Sequence, residues 1–209
     1  MSIDPKKIRA ALKHLRSADP VMRDVICRVG SFRLKLKRDR FGTLVRSIVS
    51  QQISVAAARS IQNRLWQIAA TKKPTAETLL RLSDLDLRSA GLSAQKVRYL
   101  RDLSEHVLDA RLQLSQIGRK SDECVIDELV QVKGIGRWTA QMFLIFSLGR
   151  LDVFPHDDLG IRTNIRNLYR LDDLPDKATS HRIAEPWRPY ASVASWYCWR
   201  NGDAADDKN

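Results

Sequence analysis

The chain has 209 residues, 44% of them hydrophobic, and a formal net charge of +12. That length allows one sizeable core or two small lobes and argues against a disordered chain, while the basic excess favours a polyanionic partner such as nucleic acid. The stretch 201–209, NGDAADDKN, reads as an acidic flexible tail, and without it 35 basic residues face 21 acidic ones, a net of +14.

In chain order the pattern is helical almost throughout, because apolar residues recur at spacings of three and four and β-branched alternation is scarce. A first helix is expected at 6–17 and a second from the Asp19-Pro20 cap pair up to Gly30. FRLKLKRDRF at 32–41 alternates Phe32, Leu34 and Leu36 with basic residues, as a short strand or an extended basic arm would. Helices resume at 42–49 and 54–68, joined by the short SQQIS link. Three more follow near 76–82, 84–90 and 94–109, with Thr75, Ser83 and Ser93 as candidate caps. A polar link at 115–121 leads to a helix at 122–130, and VKGIGR separates it from a strongly apolar helix at 136–148. The last helices are expected at 157–170, 176–185 and 189–200. This order suits a single helical module spanning 1–200, with one lobe from about 35 to 115 and the N-terminal segment joining about 116–200 in the other.

Cys27, Cys124 and Cys198 are too widely spaced for a disulfide scaffold or a close-set thiolate site, which points to a reducing compartment. No apolar run approaches the roughly 20 residues of a membrane span. The opening MSIDPKKIRA lacks the apolar stretch of a signal peptide. The setting expected is therefore the cytoplasm, in association with a nucleoid, or the nucleus in a eukaryote. No feature argues for an oligomer, so a monomer is expected.

Two stretches carry the chemistry. In LVQVKGIGRWTAQMF at 129–143, Gly134 and Gly136 make a tight turn before a helix that starts with exposed N–H groups, a ready anion site. A dinucleotide-binding loop fits poorly, because the preceding segment is helical and no βαβ pattern follows. VFPHDDLGIR at 153–162 sets Asp157 and Asp158 behind a proline. Neighbouring carboxylates on a helix point about 100° apart, which disfavours a paired-acid hydrolytic site and leaves a helix cap as the simplest role for either.

Together with IVSQQISVAAA at 48–58 and EPWRPYASVASWYCWR at 185–200, these blocks resemble the helix-hairpin-helix DNA glycosylases, and within them the DNA-3-methyladenine glycosylase II branch that acts on alkylated purines. The resemblance runs from about Leu44 to Trp199 and implies an all-α fold of two helical lobes. It further implies a monofunctional enzyme that flips an N-alkylated purine, chiefly 3-methyladenine and also 7-methylguanine, out of double-stranded DNA and hydrolyses its glycosidic bond. Ethenoadenine or hypoxanthine as the lesion, and a non-catalytic DNA-binding protein with the same hairpin, are the alternatives.

By that resemblance Asp158 is the catalytic carboxylate, with Asp157 as the fallback. Trp138, Trp196 and Met142 line the base pocket, Gln52 is the wedge that fills the flipped-out gap, and Lys133, Gly134, Gly136 and Arg137 bind DNA phosphates. The backbone carbonyls of Val130, Val132 and Gly134 would hold a structural Na⁺ or K⁺. The bifunctional relatives have a lysine nucleophile where Trp138 stands, and a tryptophan cannot form a Schiff base. No cofactor is required, and an iron–sulfur cluster is not expected because only Cys198 follows the acidic pair. His156 is a candidate for support of the site, Arg162 and Arg166 for local salt bridges or phosphate contacts, and Trp187 for the core.

Overall fold

The computed structural model describes residues 3–71 and 73–206, and among these the regular elements are helices, with no β-sheet. The α-helices are α1 (Pro5–Ala18), α2 (Pro20–Val29), α3 (Arg40–Ser50), α4 (Val55–Ile68), α5 (Ala76–Arg81), α6 (Asp84–Ser89), α7 (Ala94–Leu108), α8 (Asp122–Leu129), α9 (Arg137–Phe143), α10 (Leu159–Leu168), α11 (Lys177–Ala184) and α12 (Ala191–Asp206). Their starts follow local chemistry. Thr75, Ser83 and Ser93 each accept a backbone N–H at the head of α5, α6 and α7, and Ser83 with Asp86 forms a capping box. The helix expected at 136–148 is α9 followed by a π turn at Leu144–Leu148, a widening common beside functional sites.

The chain divides into two units. One comprises residues 1–36 and 144–209, the other residues 37–143. The boundary therefore falls after α9 rather than near 115, and α8 and the glycine turn belong with the second unit. The reason is local: the carboxylate of Asp102 on α7 accepts the Lys133 N–H at 2.8 Å, and the Gln51 amide donates to the Gly134 carbonyl at 2.7 Å. Leu44, Ile48, Leu65, Leu100, Leu129 and Phe143 are buried in this unit.

The first unit is built on α1, α2, α10 and α12, with Leu15, Met22, Ile26, Ile165, Trp187 and Tyr197 in its core. Asp19 ties it together. Its Oδ1 accepts the N–H groups of Val21 and Met22, capping α2, while its Oδ2 accepts the Tyr169 hydroxyl and Trp187 Nε1–H. Trp187 is fully buried, in the core role expected of it. The 32–38 segment forms no helix or strand; Phe32 and Leu34 pack on the core while Arg33 and Lys35 are exposed. Helix α12 carries on to Asp206, into the stretch expected to form a flexible tail from 201, and residues 207–209 lie outside the described residues.

Candidate active site

In the first unit the VFPHDD segment leads into α10 and is fastened to α12. Ser192 Oγ accepts the Val153 N–H at 2.8 Å and lies 3.2 Å from the Val153 carbonyl. The turn that follows is closed by Asp158 N–H donating to the Pro155 carbonyl at 3.0 Å. Asp158 is the N-cap of α10: its Oδ1 accepts the Ile161 N–H at 2.9 Å and also the Trp199 Nε1–H at 2.9 Å. Asp158 as a whole is 9% exposed. The helix cap expected of either acid is thus Asp158, and Asp157 points outward, 3.2 Å from Nε2 of the buried His156. The sequence spacing left this open because either acid could precede the first helical turn.

Gly160 keeps this corner tight. A Cβ there would stand 3.2 Å from Asp158 Oδ1 and 3.4 Å from Cδ1 of Trp199. The indole of Trp199 lies 5.5 Å from the Phe146 ring at an interplanar angle of 31°, a tilted aromatic pair beside the carboxylate. Trp196, expected in a base pocket, is instead 8% exposed and packs edge-on against Phe32 and Tyr197 in the core. Trp199 and Phe146 are the aromatic residues that sequence reasoning missed. Trp196 and Trp199 are three positions apart on one helix, so no pattern distinguishes which faces Asp158. Arg162 and Arg166 make local hydrogen bonds, to the Pro175 carbonyl and to Asn167.

The second unit holds the remaining candidates. Gly134 has φ +82°, and a Cβ there would run into the Tyr99 ring at 2.2 Å, so this position accepts only glycine without rearrangement. Gly136 is exposed with open space around its Cα. The N–H groups of both glycines make no hydrogen bond among the described residues, whereas that of Lys133 is taken by Asp102. Lys133 Nζ lies 3.4 Å from Asp102 Oδ1, and Arg137 bonds both oxygens of Glu123 at 2.8 and 3.1 Å. Both cationic groups remain substantially exposed.

A monovalent cation site is expected on the carbonyls of Val130, Val132 and Gly134, two of which accept hydrogen bonds within the turn. The Gly134 carbonyl accepts the Gln51 amide and the Val132 carbonyl accepts the Ile135 N–H at 3.0 Å, which leaves each oxygen one lone pair for a further partner. Among the described residues no cluster of His, Cys, Asp and Glu could hold a metal, and the three cysteines are free.

Gln52 sits exposed at the turn between α3 and α4 with φ +56°, an uncommon conformation for a residue with a Cβ, and the apolar Ile53 and Val55 near it are also exposed. Trp138 and Met142, four residues apart on α9, share a face, and Trp138 is 46% exposed.

Residues 45–189 match the model of the family described as HhH-GPD superfamily base excision DNA repair protein. A curated relative, DNA-3-methyladenine glycosylase 1 of Schizosaccharomyces pombe, is 35% identical over 92% of this chain and 87% of its own length. Among solved structures, the DNA-3-methyladenine glycosidase of Bacillus halodurans aligns with a TM-score of 0.87 at 35% identity, over 95% of this chain and 91% of that one. The Schizosaccharomyces pombe 3-methyladenine DNA glycosylase in complex with abasic DNA aligns with a TM-score of 0.85 at 35% identity, over 94% and 98% of the two chains. Among the described residues no helix is long and apolar enough to cross a membrane.

Proposed function

We propose that this chain, which belongs to the HhH-GPD superfamily of base excision DNA repair proteins, is a monofunctional DNA glycosylase that removes N-alkylated purines, chiefly 3-methyladenine, from double-stranded DNA and leaves an abasic site. The observation that carries the reading is Asp158: a largely buried carboxylate whose Oδ1 is pinned by a helix N–H and an indole N–H in a chain otherwise rich in positive charge.

The chemistry asks little else of the protein. An alkylated purine already carries positive charge, so when its bond to C1′ breaks, the electron pair leaves with a neutral base and the sugar becomes oxocarbenium-like. A carboxylate held rigidly beside that sugar stabilises the developing charge without reorganising. Water then adds to C1′ and loses a proton. The Ile161 and Trp199 bonds aim the Asp158 carboxylate before substrate arrives.

Trp199 with Phe146 offers an aromatic surface next to Asp158 for a cationic base, supported by stacking and cation–π attraction. Trp138 and Met142 are the pocket candidates on α9, and the core position of Trp196 makes its role one of support. The open N–H groups of Gly134 and Gly136, with Lys133 and Arg137 nearby, suit phosphate contacts that position the duplex without reading sequence. Gln52 is the wedge. The compartment that goes with this activity holds DNA and keeps thiols reduced, the bacterial cytoplasm or a nucleus, in keeping with three free cysteines.

The test is base release from methylated duplex by the wild type, Asp158→Asn and Asp157→Asn. Wild type is expected to release 3-methyladenine; Asp158→Asn should lose activity by about 10²-fold or more, the scale of a removed transition-state stabiliser, and Asp157→Asn should stay close to wild type. Wild-type protein that binds the duplex and releases no alkylpurine would overturn the activity. Equal rates for wild type and Asp158→Asn would overturn the residue assignment.

A further inference from the structure

Within the second unit, the tip that carries Gln52 is wired to two other elements. Helix α3 ends at Ser50, and its last carbonyls would be unsatisfied where the chain turns outward. The ammonium of Lys96, from the first turn of α7, reaches two oxygens there: the carbonyls of Val49 at 2.7 Å and of Gln51 at 2.8 Å. A cation at a helix C-terminus is favoured by the helix dipole as well as by these bonds. On the far side of the same residue, the Gln51 side-chain amide donates to the Gly134 carbonyl at 2.7 Å. Tyr99, one turn further along α7 from Lys96, lies under Gly134, where only a hydrogen in place of Cβ leaves room for its ring. These groups line one polar groove of about 760 Å³ between the Gln52 turn, the start of α7 and the glycine hairpin.

Gln52 itself is held at φ +56°, a conformation that costs a residue with a Cβ about 1 kcal/mol or more and persists only where the surroundings impose it. Lys96 and Gln51 make their hydrogen bonds at the residues directly before it in the turn. We infer that Lys96 and Gln51 are positioning residues that lock the Gln52 wedge at a fixed height above the phosphate-gripping hairpin, so that anchoring the backbone at Gly134 and Gly136 sets how deeply the wedge enters the duplex. The inference rests on the reading of Gln52 as wedge and of the hairpin as phosphate anchor. It assigns no contact with DNA to Lys96, whose ammonium is spent on carbonyls.

The experiment uses a duplex carrying a tetrahydrofuran abasic analogue with 2-aminopurine opposite it, whose fluorescence rises when the wedge disturbs stacking, together with single-turnover base release from methylated duplex. Lys96→Met keeps the stem and removes the charge. It is expected to bind undamaged duplex with an unchanged salt dependence, to lose most of the fluorescence rise, and to release base about 10- to 100-fold more slowly, the scale of a roughly 1 Å misplacement. Lys96→Arg, which can still reach both carbonyls, is expected to restore most of both signals, and Gln51→Ala to reproduce the Lys96→Met defect in a protein that keeps the ammonium. Wild-type fluorescence and release in both Lys96→Met and Gln51→Ala would overturn the brace. So would a Lys96→Met loss on undamaged duplex equal to the loss in release, since that pattern is a phosphate contact. If wild type itself releases no base, the proposed activity fails while the fluorescence arm still reads the brace.

Discussion

Asp158 does two jobs with one oxygen, capping α10 and receiving the Trp199 indole, and the indole is the more testable of the two. A hydrogen bond to a charged acceptor is worth about 1.5–3 kcal/mol, so Trp199→Phe, which keeps an aromatic ring and removes the donor, is expected to slow single-turnover base release about tenfold or more with a modest change in the unfolding midpoint. Trp196→Phe should do the reverse, lowering the urea midpoint through lost core packing while release stays near wild type. The thiol of Cys198 is a further reporter on the same helix. Burial, then the nearby carboxylates of Asp19 and Asp158, push it up to about 12. The fold therefore favours the neutral thiol, and that contribution to stability is full below the usual thiol range and lost as pH rises toward the shifted value. At pH 8 a thiol reagent should label the exposed Cys27 and Cys124 of native protein and reach Cys198 only on unfolding, a stoichiometry that mass spectrometry reads directly.

The glycine hairpin separates two requirements that the motif G-x-G merges. Gly134 is needed by the fold, since its backbone is left-handed and the Tyr99 ring occupies the space of a Cβ. Gly136 has open space and is needed, if at all, by what approaches it. Gly134→Ala is thus expected to destabilise by about 1–3 kcal/mol, visible in thermal unfolding without DNA. Gly136→Ala should leave that transition in place and weaken duplex binding, because the methyl group stands where a phosphate would meet the N–H. Equal thermal shifts for the two variants would contradict this division. Arg137 is tied to Glu123 at 2.8 and 3.1 Å, whereas the Lys133 ammonium stands 3.4 Å from Asp102 and is more exposed, so Lys133 is the hairpin cation with more to offer a phosphate.

For the molecule as a whole, a body with a net charge of +14 outside the 201–209 stretch should bind any duplex more tightly at low salt and lose that affinity steeply as counterions compete. Lys133→Gln is expected to reduce the slope of log K against log salt by about 0.9, and to do so alike for damaged and undamaged DNA. An effect confined to damaged duplex would remove Lys133 from the phosphate contacts.

Helix positions were legible from the chain because they rest on local rules. Asp19 before Pro20, Ser83 ahead of Asp86 and Ser93 before a periodic apolar run each announce a helix start within a few residues, and α2, α6 and α7 begin at these signals. The hairpin glycines and the Asp157-Asp158 pair were legible as motifs for the same reason. What sequence could not resolve was which of two neighbours acts, Asp157 or Asp158 as the cap and Trp196 or Trp199 beside it, and that the Gly134 carbonyl meets the Gln51 amide. Those choices turn on the rotation of α12 about its axis and on hydrogen bonds between residues 83 apart in the chain, which packing sets and no local pattern encodes. The short-range chemistry of the chain thus determines where its helices and candidate groups lie, and their three-dimensional packing selects which of those groups point at one another.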